Sequence, residues 1–85
     1  MEHNQRARKL LLQIVNNQIR MNNPPETKQT VERLVSEGYT KDEAKEMIAG
    51  VLVVQIHTIM KNVTEFDEEL YITQLKNLPQ SPFDE

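Results

Sequence analysis

Two histidines and thirteen carboxylates are the groups in this 85-residue chain that could hold a metal or move a proton, because it contains no cysteine. His3 stands in a polar terminal stretch. His57 falls in the same helical sector as Glu43, Glu46 and Gly50, so Glu46 with His57 is the nearest thing to a ligand or acid–base pair. Those two residues lie three turns apart, which separates them by about 16 Å along one helix, too far to share a cation. A metal-dependent or hydrolytic enzyme would therefore need further acidic residues to converge on His57 from other elements. Asp67, Glu68 and Glu69 form a carboxylate cluster, yet they lack the ligand spacing of a calcium loop, and acids gather at a helix N-terminus for electrostatic reasons alone. With two glycines in the chain, neither a phosphate-cradling loop nor a nucleophile elbow can be assembled. The residue types assign no catalytic residue, no cofactor and no metal.

Gln18 and Gln55 draw the eye for a different reason. Each sits near the middle of the apolar arc of its helix, and a buried amide without a partner costs roughly 1–3 kcal/mol. They are expected to hydrogen-bond each other, or a nearby helix-end carbonyl, and so to fix the register of the first and third helices.

Four helices must position these groups. From Asn4 to Met21, Ala7, Leu10, Leu11, Ile14, Gln18 and Ile19 recur at helical spacing, with Arg6, Lys9, Gln13, Asn16 and Arg20 on the other side. Asn22-Asn23-Pro24-Pro25 ends that helix, because each proline disfavours helical backbone in the residue before it. Asn23 is then expected to cap the second helix, with Pro24 in its first position and Glu26 as the capping-box acid. Thr27, Val31, Leu34 and Val35 give the second helix a narrow apolar stripe, leaving Lys28, Glu32 and Arg33 solvated until Gly38 stops it. Thr40-Lys41-Asp42-Glu43 reads as a capping box, with Tyr39 and Ala44 as a hydrophobic staple. The third helix should run from there to about Asn62 and is apolar around most of its circumference, so its neighbours are expected to enclose it. The β-branched run from Val51 to Ile59 would also suit a buried strand, but no turn residues bound it and no partner strand is visible. A last helix should start near Asp67 and end before Pro79, with Phe66, Leu70, Tyr71, Leu75 and Leu78 on one side; residues 80–85 read as a loose tail.

Length and charge narrow the function classes. Eighty-five residues make one small helical domain over 1–79, and a chain of this size buries little more than ~60% of its unfolded surface, which favours covering apolar area with a second copy. Thirteen acidic against ten basic residues give a net charge of −3, which disfavours nucleic acid and anionic membrane as partners. The second helix, Gly38 and the third helix could be read as a helix-turn-helix nucleic-acid binder. Asp42, Glu43 and Glu46 would then lead the recognition helix, where basic or amide side chains belong. Arg6, Arg8, Lys9 and Arg20 read as a solvated face. The start MEHNQRARK runs into no signal-peptide pattern, the charge-free stretch from Met47 to Met60 is too short to span a bilayer, and the lack of cysteine fits a reducing compartment, so a cytoplasmic location is expected.

Two resemblances bear on the fold. LVSEGYTKDEA is similar to the first loop of ubiquitin-associated domains, with Glu37, Gly38 and Tyr39 at the recognition positions, although a third helix of about 20 residues is far longer than theirs. IVNNQI, NPPETKQTVERL, EGYTKDEA, IAGVL and FDEELY, spread over about residues 8 to 78, resemble a small all-helical bacterial family of uncharacterised role. Members of that family often carry histidine pairs on the first and third helices, implying a metal site. The corresponding positions here are Arg8, Leu12, Asp42 and Glu46, which hold no histidine, so the resemblance implies the fold without the metal.

The sequence therefore predicts an all-α, four-helix domain with a long apolar central third helix, along which the first and fourth pack while the second forms a cover. Its expected role is protein–protein contact. The expected partner is a second copy, or another protein, held through Val53, Ile56 and Met60, which lie away from the Ile48–Val51–Gln55 face.

Overall fold

The local signals at the helix ends fix most of the architecture. The computed structural model describes residues 4–80 as α1 (Asn4–Met21), α2 (Pro25–Ser36), α3 (Lys41–Asn62) and α4 (Glu68–Asn77). The domain is all-α, and the Val51–Ile59 run is helical throughout. Thr40 and Glu43 form a reciprocal capping box, in which the Glu43 amide donates to Thr40 Oγ1 at 3.0 Å and the Thr40 amide donates to Glu43 Oε1 at 2.9 Å. Asp67 caps α4 by accepting from the Leu70 amide at 3.1 Å.

Three helices close the same way. A residue in left-handed conformation follows each one, namely Asn22 (φ 52°), Gly38 (φ 109°) and Val63 (φ 52°). The next amide then reaches back five residues: Asn23 to the Gln18 carbonyl, Tyr39 to Leu34, and Thr64 to Ile59. This overturns the expected cap of α2. The Asn23 amide is committed to the end of α1, Pro24 takes the N-cap place, and no side chain caps α2.

The core comprises Val15 of α1, Val31 and Leu34 of α2, Ala44, Ile48, Ala49, Val51 and Leu52 of α3, and Tyr71, Leu75 and Leu78 on the α4 side. Both α2 and α3 pack against all three other helices, so α2 is more than a cover. Nor is α3 enclosed along its length. Its buried residues run from Ala44 to Gln55, and beyond them Ile56, His57, Thr58 and Met60 are exposed. Faces were also redistributed on the other elements. In α1, Val15 faces the core with Leu11, Leu12 and Ile19 packed partly against it, while Leu10 and Ile14 are exposed, so the inward face is rotated by a fraction of a turn from the arc that the apolar spacing marked. Thr27 and Thr30 are buried in α2 and Val35 is exposed; Phe66 just before α4 and Leu70 within it are exposed, while Tyr71 and Leu75 are buried. Among the described residues, no helix is long and apolar enough to cross a membrane.

Candidate functional site

A groove of about 440 Å³ lies between α1 and α3. Its α1 wall is Ala7, Arg8 and Leu11, and its α3 wall is Glu46, Ala49, Gly50 and Val53. The groove exists because small residues face each other: Ala7, Ala49 and Gly50 leave a gap that larger side chains would fill. A Cβ placed on Gly50 would meet nothing within 4 Å.

One end of the groove is closed by an ion pair. Arg8 Nε donates to Glu46 Oε1 at 3.0 Å, and Arg8 Nη2 pairs with Glu46 Oε2, a bidentate fork well suited to guanidinium and carboxylate. On the far side of this pair lies a smaller, polar pocket of about 300 Å³ lined by Arg8, Leu12, Asn16, Asp42, Lys45 and Glu46. The four positions picked out by the family resemblance, Arg8, Leu12, Asp42 and Glu46, thus share one pocket. Their chemistry is that of a charge pair with a leucine beside it.

The groups that the acid–base reading would need are dispersed. His57 is exposed on the outer half of α3, Glu46 is engaged by Arg8, and Asp67 serves as a helix cap. Among the described residues no three histidine or carboxylate side chains converge as a cation site. His3 lies outside the described residues, as does the tail beyond Gln80.

Gln18 and Gln55 do not bond each other. Gln18 Oε1 accepts from Thr27 Oγ1 at 2.7 Å and from the Tyr71 hydroxyl at 2.8 Å, tying α1 to α2 and α4. Gln55 is buried and its Nε2 donates to Gln74 Oε1 at 3.4 Å, which links α3 to α4. Helix spacing places both amides on inward arcs but carries no information about which neighbour each arc meets. Thr27 and Tyr71 fall within the apolar stripes of their helices, so their hydroxyls carry no signal in the sequence. Burial pushes the Tyr71 phenol above its ordinary range, and the hydrogen bonds with Thr27 and Gln18 oppose that shift.

Arg33 is only partly solvated. Its Nη2 donates to the Leu75 carbonyl at 3.0 Å, near the end of α4, while Nη1 pairs with Glu37. The Val53, Ile56 and Met60 face is open to solvent, these residues being 39%, 39% and 75% exposed. No family model, curated protein or solved structure matches this chain.

Proposed function

We propose that this chain is a non-enzymatic cytoplasmic protein that acts through protein–protein contact, with pairing of two copies as its concrete form. The observation that carries the reading is the outer half of α3, which stays helical beyond the core while Val53, Ile56 and Met60 face water on one side of it. Contiguous exposed apolar surface on a small domain marks interaction sites. The dispersal of His57, Glu46 and Asp67 favours contact over catalysis, and the net charge of −3 with no cysteine fits the cytoplasm better than a nucleic-acid or secreted setting.

Sedimentation equilibrium tests it. The wild type should behave as two copies of the 9.9 kDa chain, and Ile56→Asp should give single copies with unchanged helical circular dichroism. A wild type that remains a single copy at millimolar concentration would remove the proposal.

A further inference from the structure

The first helix, α1, carries apolar side chains on two faces, and the core uses one of them. Val15 turns inward, with Leu11, Leu12 and Ile19 packed partly against the same core. On the outer face Leu10, Ile14 and Met21 are 57%, 40% and 67% exposed. Together with Ala7 and Asn17, which are also exposed, they follow one another at spacings of three, four, three and four. That is the narrow a/d stripe of a coiled-coil helix, turned to solvent. All five residues lie inside α1 and none belongs to the core.

Charge beside the stripe specifies what fits on it. α1 holds four basic residues and no acidic one, in a chain whose net charge is −3. Arg8 is taken up by Glu46, while Arg6, Lys9 and Arg20 stand on the exposed side. Arg6 and Arg20 each immediately precede an a position, Ala7 and Met21, and so occupy the g edge, where coiled-coil helices select partners by charge. The Arg20 guanidinium lies along that edge, Nη2 donating to Asn17 Oδ1 at 2.9 Å. A second copy laid α1 against α1 would set these cations against each other.

We infer that the outer face of α1 docks an acidic amphipathic helix of a different protein, with the apolar stripe of that helix on Leu10, Ile14 and Met21 and its flanking carboxylates on Arg6 and Arg20. The inference goes beyond the self-association proposed through Val53, Ile56 and Met60 and does not depend on it. Asn17 fixes the register, as a single polar residue in such a seam does at some loss of affinity. An anionic membrane fits less well, because the stripe is narrow, contains no aromatic residue and would press Asn17 into hydrocarbon. Nucleic acid would satisfy the cations and leave the three apolar side chains uncovered.

Fluorescence anisotropy tests this with a labelled heptad peptide carrying Ile at a, Leu at d and Glu at e and g, whose like charges oppose its own pairing. The control peptide has Lys in place of each Glu. The Glu peptide should bind the wild type at least about tenfold more tightly than the Lys peptide, by an advantage that shrinks as salt is raised. Ile14→Asp should weaken that binding at least about tenfold. Arg6→Glu with Arg20→Glu, both at exposed positions, should reverse the preference while leaving the helical circular dichroism unchanged. Ile56→Asp, aimed at the α3 contact, should leave the affinity as it is. Equal binding of the two peptides, or Ile14→Asp binding as tightly as wild type, overturns the inference. So does binding to phosphatidylserine vesicles without binding to the Glu peptide. A wild type that sediments as a single copy and still prefers the Glu peptide removes the self-association and upholds this contact.

Discussion

The Tyr71 hydroxyl donates to Gln18 Oε1 at 2.8 Å, across 53 positions of sequence, and the same oxygen accepts from Thr27. One amide oxygen therefore joins α1, α2 and α4 in a region where Tyr71 and Thr27 are fully buried. Its strength comes from the low-dielectric setting, which also makes each member costly to leave unpaired.

That network should confer an alkaline limit on stability. The folded-state pKa of Tyr71 is raised above its ordinary value of 10.0, chiefly by burial. A raised pKa means that the folded chain keeps its proton when the unfolded chain has begun to lose it. The contribution is therefore complete below about pH 10 and declines as pH rises through the higher folded value. Urea unfolding of wild type and Tyr71→Phe at pH 8 and pH 11 should show the variant about 1 kcal/mol less stable at pH 8. The gap should narrow or reverse at pH 11, and a gap independent of pH would contradict this account.

Arg33 supplies a second long-range tie. Its Nη2 bonds the Leu75 carbonyl in the last turn of α4, which also accepts the Leu78 amide at 3.2 Å, and its charge complements the negative end of that helix. Arg33→Ala should cost about 1–2 kcal/mol, or roughly 5–15 °C in melting temperature for a domain of this size. Glu37→Ala should cost much less, because its i,i+4 pair with Arg33 is partly exposed. Equal losses in the two variants would place the effect in the ion pair instead.

How much of this was visible in the residues divides along physical lines. The extent of α1 and α3, the Thr40–Glu43 box, the Asp67 cap and the Gly38 stop all follow from short-range stereochemistry, and each stands where the spacing put it. Choice of face did not follow. The apolar arc of α1 is wide enough to dock through Leu10 and Ile14 or through Val15, and only the positions of α2 and α3 decide for Val15. Arg33 lies on the polar side of α2, yet its reach lets the guanidinium find a carbonyl 42 residues away. In the candidate site the exposure of Val53, Ile56 and Met60 depends on how far α3 outruns its neighbours, which no local pattern encodes.

Val63 ends α3 with φ at 52°, a conformation that crowds the Cβ of an L-residue and is least favourable for a branched side chain. The Thr64 amide bonds the Ile59 carbonyl across this turn, so the conformation belongs to the cap. Val63 is 90% exposed, and its side chain has little packing to lose. Val63→Gly should therefore raise stability, by up to about 1 kcal/mol once the greater freedom of glycine in the unfolded chain is subtracted. Thermal unfolding of the variant at low protein concentration, where association does not contribute, measures this, and a lower melting temperature would be the contrary result.

The two glutamines should respond very differently to the same change. Gln18→Leu removes the acceptor shared by Thr27 and Tyr71, leaving two buried hydroxyls to find new partners, and should cost about 2–4 kcal/mol at neutral pH. Gln55→Leu breaks a single long contact to Gln74, which is only half-buried and can turn to solvent, while a leucine gains apolar burial beside Val51 and Leu52. That substitution should fall within about 1 kcal/mol of wild type. Parallel urea titrations of the two variants decide the matter. If Gln55→Leu proved the costlier, the α3–α4 amide contact would outrank the Gln18 oxygen as the polar tie that holds the helices in place.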